Sequence, residues 1–183
     1  MRALVGFCVL LACLSSITIV WSHNAECLHD GFWYNRVLDT CLKIVPFTGN
    51  EKTTEEILNI CKNHDKKSVA ARICDENENK EIFELMRQQF GDKPMGVIIG
   101  YYIPENKEWS KDNFEWIDKR TDCGTWGFGT NWRRTAPENN AGYPPERLAA
   151  MYNEIGGKWE DVNVDYAQRH FKHIICTKYP KWM

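Results

Sequence analysis

The sequence predicts an α+β fold: two helices and short antiparallel strands with a long binding loop, stapled by disulfides. Three observations point there. Two stretches of helical periodicity, each opened by a capping residue, lie in the first half of the chain. Short apolar runs of strand length follow them, interrupted by an aperiodic stretch of about thirty residues. Beyond the N-terminal apolar segment the cysteines number six, the even count of a disulfide framework.

The elements follow in chain order. Met1 and Arg2 precede an uncharged run from Ala3 to Val20, and Ser22 ends it with a small residue. This is the pattern of a secretory signal peptide over residues 1–22, cleaved near Ser22. A retained signal-anchor is the alternative, since 18 apolar residues just reach bilayer thickness. Residues 23–183 then form a single domain, with a core of about 27–179. Cys27 and Cys41 bracket Phe32-Trp33-Tyr34 and a turn over 35–39, the composition of a hairpin. A helix starts at Thr53, where Glu56 completes a capping box. Ile57, Ile60 and Cys61 share its apolar face, and the pattern fades near His64. Ser68 to Ile73 reads as a short strand. A second helix opens at Asp75 with Glu78 as box partner, carries Ile82, Phe83, Met86 and Phe90 on one side, and stops at Gly91. Val97 to Tyr101 is the clearest buried strand, and 114–117, 148–151 and 171–176 are further strands. The stretch 118–147 is rich in Gly, Pro, Asn and Trp, and an irregular segment of that length in a compact domain is characteristic of a binding loop. No repeat and no low-complexity tract appears.

Charge narrows the classes of function. Without residues 1–22 the chain has 161 residues and a net charge of −3, from 22 basic and 25 acidic side chains. There is no basic excess to attract nucleic acid or an anionic membrane. The aromatic content of 13% indicates a packed globule. Zinc is a poor explanation of Cys27, Cys41, Cys61, Cys74, Cys123 and Cys176. None is spaced Cys-x2-Cys, and His170 and His173 sit in a strand-like run that points their rings to opposite faces.

The stretch from Asn131 to Asp161 holds the most informative chemistry. It contains Asn131-Trp132, Ala136-Pro137-Glu138, Glu146 and Gly157-Lys158-Trp159-Glu160-Asp161. Hard oxygen donors gathered in an irregular loop are calcium chemistry, and a solvated acidic loop is the plainer reading of the same residues.

These pieces, taken together, resemble the C-type lectin-like domain over nearly the whole of residues 23–183. Phe32-Trp33-Tyr34 before Cys41-Leu42-Lys43 is similar to the N-terminal hairpin of the long form. Val97-Ile98-Ile99-Gly100 stands where the family has Trp-Ile-Gly-Leu. Phe114-Glu115-Trp116-Ile117-Asp118, Asn131-Trp132, Pro137 and Gly157 to Asp161 follow at family-like spacings. The style is similar to that of secreted nematode members, which are often tied to defence against microbes. The resemblance implies the bridges Cys27–Cys41 and Cys61–Cys176 and leaves Cys74 to Cys123. The family's usual second bridge has its matching positions at Leu148 and Val164, both apolar here.

In sugar-binding members a Glu-Pro-Asn or Gln-Pro-Asp triplet, a later Glu and an Asn-Asp pair hold calcium and a sugar's vicinal hydroxyls. The resemblance places these roles on Ala136-Pro137-Glu138, on Glu146 and on Glu160-Asp161. Glu138, Glu146, Glu160 and Asp161 are therefore the candidate calcium ligands, and calcium is the one cofactor to consider. Ala136 loses a ligand and both amide positions have become Glu, so donors that read a hydroxyl become acceptors. Trp126, Phe128 and Tyr143, interleaved with glycines, are candidate ligand contacts together with Glu138, Glu146 and Glu160. Trp132 and Trp159 read as core residues beneath the loop. The resemblance also allows Pro137 to be cis.

Beyond the signal, Ser68 and Ser110 are the only serines, and neither is near a histidine motif. The acids of the loop could form a glycosidase pair only against the fold resemblance. The expected function is therefore a secreted, non-enzymatic binding protein that recognises a glycan or cell-surface ligand. The alternative is a calcium-independent module for a protein or lipid ligand. No Asn-x-Ser/Thr sequon is present.

Overall fold

A computed structural model describes residues 26–119, 131–140 and 143–179. These residues form two compact units: 26–43 with Tyr179, and Ile44–Lys178.

The first unit is a hairpin. Strand β1 (Trp33–Asn35) pairs antiparallel with the start of β2 (Thr40–Pro46), setting Trp33 opposite Leu42 and Asn35 opposite Thr40. The turn is made by Asn35, whose Oδ1 accepts from the N–H groups of Val37 and Leu38 at 2.9 and 3.0 Å. Tyr34 donates its hydroxyl to Asp39 at 2.7 Å. Cys27 and Cys41 are bridged, and Phe32 is buried.

In the second unit α1 (Thr54–His64) begins as the sequence specifies. Thr53 Oγ1 accepts from Glu56 N–H at 3.1 Å, and the Glu56 carboxylate accepts from Thr53 N–H, which closes the box. Ile57, Leu58, Ile60 and Cys61 are buried, so the apolar face is wider by Leu58 than expected. Cys61 bridges to Cys176 across 115 residues. The short strand β3 (Val69–Ala70) pairs with the last strand, β8 (His173–Lys178), and is shorter than the expected Ser68–Ile73. Ser68 instead turns its hydroxyl back onto the carbonyl of Cys61 at 2.6 Å, and beyond Ala70 the backbone is shared: Ala71 N–H donates to Ile175 C=O while its C=O accepts from Gly100 N–H.

Helix α2 (Glu76–Phe90) is capped by Asp75 and ends at Gly91 with φ +66°. Ile82, Leu85 and Met86 are buried, whereas Phe83 and Phe90 are half-buried at the edges of that face. The Glu78 side chain does not complete a box with Asp75; it accepts from the N–H of Cys74.

The central strand is β4 (Gly96–Tyr102). It pairs antiparallel with β6 (Leu148–Tyr152), and β6 pairs antiparallel with β7 (Trp159–Val162). The order across this unit is β8-β4-β6-β7, with β3 on β8 and β5 (Glu115–Trp116) on β4. One pair departs from the antiparallel expectation: β4 and β8 (His173–Lys178) run parallel, with Ile98 opposite Ile174. Val97 to Ile99, Leu148 to Met151 and Ile174 to Cys176 are all buried, which is why these runs are almost purely apolar.

Two further segments differ from expectation. The final strand starts at His173 and not at Phe171, because residues 164–171 are helical (Val164–Tyr166, then a wider turn Ala167–Phe171) and end at Lys172 with φ +57°. His170 therefore packs on Tyr166 at 4.3 Å while His173 packs on Phe90 at 4.9 Å, so the two rings serve separate clusters. Strand β7 was hidden because it alternates Trp, Glu, Asp and Val and reads as a polar motif.

Candidate functional site

The site is built around β7 and the segment 131–140 that runs beside it. Trp159 donates its N–H to Asn131 C=O and its C=O accepts from Arg133 N–H, each at 2.9 Å, which clamps Trp132 against the strand. Beneath lies an aromatic cluster. Trp159 is fully buried, and Trp132 and Trp116 meet it edge-on at 5.9 Å. Phe114 packs on Trp132 at 5.1 Å. The indole Nε1 of Trp159 donates to Asn79 Oδ1 at 2.9 Å, so its one polar side-chain atom is satisfied inside the core. Trp159 is thus enclosed beneath the rim, and the half-buried Trp132 packs on it from the segment above. The Ala136–Pro137 peptide is cis.

The four acids nominated from the sequence meet in one network. Asp161, buried on β7, takes the N–H of Glu138 on both carboxylate oxygens at 3.0 Å and that of Asn139 at 2.9 Å. It therefore pins the loop that follows Pro137 to the strand. Glu146 is buried and accepts from Asn140 N–H at 2.8 Å and from the Asn140 amide at 3.3 Å, while its own N–H goes to Asn139 Oδ1 at 3.2 Å. Glu138 and Glu160 are partly exposed and share one cation. Arg133 Nη2 donates to Glu138 Oε1 at 2.8 Å. Arg133 Nε lies 2.7 Å from Glu160 Oε1, but its N–H is not directed at that oxygen, so this contact is an ion pair without a hydrogen bond.

Arg133 and Asn140 are the two members that sequence reasoning passed over. Both are visible in it, Arg133 immediately after Trp132 and Asn140 two residues past Glu138, but only the fold-back onto β7 gives them acidic neighbours. They change the chemistry of the rim. The amide donor missing from positions 138 and 160 is supplied by Asn140, whose Nδ2 lies 3.4 Å from Glu138 Oε1 as well as against Glu146.

The electrostatics reflect four carboxylates and one guanidinium. Burial pushes the Glu146 carboxyl above its ordinary value, the hydrogen bonds from Asn140 pull it back, and the charges of Asp161 and Glu138 push it up again. Burial also raises Glu160, against the pull of Arg133, and Glu138, Asp161 and Glu146 add to the rise. For calcium the donor set is a poor match. Ala136 brings no side-chain oxygen, and a fixed cation already lies against two of the four carboxylates. Among the described residues no group of three or more metal-ligating side chains is arranged to hold an ion.

Of the aromatic candidates, Tyr143 is exposed on the loop between Asn140 and Glu146. Trp126 and Phe128 lie outside the described residues, as do Cys123 and the apolar segment 1–22. Cys74 is disulfide-bonded. The two serines have structural duties: Ser68 is buried against Cys61 C=O, and Ser110 caps the turn Lys111–Asn113 by accepting from Asp112 N–H. No helix among the described residues is long and apolar enough to cross a membrane.

No protein-family model matches the chain. No curated protein matches it by sequence. Solved structures do match. The C-type lectin CEL-I from Cucumaria echinata is 19% identical, covers 78% of this chain and 92% of its own, and superposes with a TM-score of 0.56. The human scavenger receptor C-type lectin carbohydrate-recognition domain is 23% identical, with 81% and 97% covered and a TM-score of 0.54. The cow C-type carbohydrate-recognition domain of CD23, determined in the presence of a GlcNAc2Man3 oligosaccharide, is 16% identical, with 79% and 91% covered and a TM-score of 0.53. The chain has the C-type lectin-like fold.

Proposed function

We propose that this chain is a secreted carbohydrate-recognition module whose ligand site is the rim formed by Arg133, Glu138, Asn140, Glu146 and Glu160. The observation that carries the reading is the mixture of donors and acceptors at that rim, on a fold whose solved examples include carbohydrate-recognition domains. A sugar hydroxyl both donates and accepts. A carboxylate can only accept, while a guanidinium and an amide supply the donors. Glu138 and Glu160 with Arg133 and Asn140 offer both kinds within one network, and Asp161 holds the loop that carries Glu138 in place. Tyr143 adds an exposed ring at the same loop, with Trp126 and Phe128 as further candidate contacts from the segment between Asp118 and Asn131. Because the cationic member of the set is Arg133, binding is expected to be independent of calcium. Secretion is supported by the uncharged segment 3–20 and by the bridged cysteines that follow it.

The test is a glycan array read in calcium and again in EDTA. Binding to at least one glycan class that persists in EDTA is expected. Asn140→Ala and Tyr143→Ala should each weaken it by about tenfold, the effect of one lost polar or stacking contact. A folded protein that binds no glycan in either condition would refute carbohydrate recognition and leave a protein or lipid ligand.

A further inference from the structure

We infer that Arg133 stands in for a metal ion at this rim: its guanidinium is the fixed cation that holds Glu138 and Glu160 together, so the loop after Pro137 is organised against β7 without calcium. That role does not depend on the ligand being a sugar. Glu138, Glu146, Glu160 and Asp161 belong to one hydrogen-bonded and ion-paired network, and such a cluster is stable only with a compensating positive charge. Among the described residues Arg133 supplies that charge. Its Nη2 and Nε reach Glu138 and Glu160 at 2.8 and 2.7 Å. Lys158, the next basic residue on the same strand edge, is directed elsewhere, to Asn131 Oδ1 at 2.9 Å. Arg134 is exposed.

The backbone of Arg133 is anchored independently of the acids. Arg133 N–H donates to Trp159 C=O at 2.9 Å, and Arg133 C=O accepts from Ala136 N–H at 3.1 Å, so the residue sits at the start of the turn leading into the cis proline. A guanidinium is always charged and is a multidentate donor, which suits it to bridge two carboxylates. A divalent ion entering the same oxygens must displace it or share them against its charge. Arg133 therefore acts as a positioning residue for the rim and as a competitor of calcium.

The experiment compares thermal melts of the wild type and Arg133→Gln in about 10 mM calcium and in about 10 mM EDTA. The wild type should melt at the same temperature in both, within about 1 °C. Arg133→Gln should melt lower in EDTA and recover by roughly 3–5 °C in calcium, as expected for a weak extracellular-type site of Kd about 1 mM. Arg133→Lys, which restores a cation, should lose most of that calcium response. A wild type stabilised by calcium as strongly as Arg133→Gln would overturn the inference, and so would an Arg133→Gln variant indifferent to calcium. If Arg133→Gln does not fold in EDTA, the pair Arg133→Gln with Glu160→Gln decides. Recovery of the fold supports charge compensation, and failure to recover refutes it. No glycan enters the measurement, so a negative glycan array and a negative melt are separate results.

Discussion

Glu146 shows how burial, more than neighbouring charge, sets the behaviour of a rim residue. Its carboxylate is buried and answered mainly by Asn140, and burial raises its pKa first and foremost. A carboxyl raised in the folded state binds its proton more tightly there than in the unfolded chain. The stability it contributes is therefore present below the unfolded value of about 4.3 and is lost as pH rises through the folded one. Glu146→Gln keeps an acceptor for Asn140 and removes the ionisation. As pH rises above the unfolded value of about 4.3, its melting temperature should fall less than that of the wild type. Melts at stepped pH check this, and a variant with the wild-type slope would refute the assignment. The residue scale is also where the sequence was least transparent. Glu138, Glu146, Glu160 and Asp161 could be nominated through the resemblance, which places calcium-ligand roles at their positions. Arg133 and Asn140 could not, because a surface arginine and a loop asparagine have no meaning until folding supplies their partners.

At the level of elements, legibility tracked how local the signal was. Thr53 with Glu56, and Asp75 before α2, announced both helix starts because capping is settled within four residues. β4 was legible because it is buried on both faces and so almost wholly apolar. The weaker expectations were those decided by contacts distant in sequence. The run after Ser68 holds only Val69–Ala70 as strand, since Ala71 divides its backbone between two partners: its N–H donates to Ile175 C=O on β8 and its C=O accepts from Gly100 N–H on β4. Gly100 permits that close approach. A Cβ there would lie 2.6 Å from the carbonyl oxygen of Ala70 and 3.0 Å from that of Ala71, both backbone atoms that cannot swing aside. Gly100 N–H also donates to Ala71 C=O, and Gly100 C=O accepts from Ile117 N–H, so β3, β4 and β5 depend on one residue. Gly100→Ala should cost about 3 kcal/mol, the upper part of the range for overpacking. Urea denaturation measures it. A cost below about 0.5 kcal/mol would show that the strands separate freely and that the close approach is not a constraint.

For the whole molecule, the C-type lectin-like fold is reached at 16–23% identity in the three structures compared. What makes it legible in this chain is a pattern: an aromatic hairpin, two capped helices, a Trp on β7, and a bridge from the first helix to the last strand. The Cys61–Cys176 bridge spans 115 residues, and both of its cysteines are fully buried. Cys27–Cys41 spans 14. In the chain-entropy account a cross-link stabilises by restricting the unfolded chain, and the restriction grows with the logarithm of the loop. The long bridge should then contribute about 5 kcal/mol and the short one about 3 kcal/mol. A domain of ordinary stability has about 5–15 kcal/mol to lose, so opening the long bridge consumes a large share of it. The double variant Cys61→Ala, Cys176→Ala should therefore unfold at markedly lower urea than Cys27→Ala, Cys41→Ala, with α1 and β8 losing amide-exchange protection together. Equal midpoints for the two variants, or a long-bridge variant as stable as the wild type, would mean that packing of α1 on β3 and β8 fixes the fold and that the covalent link merely records it.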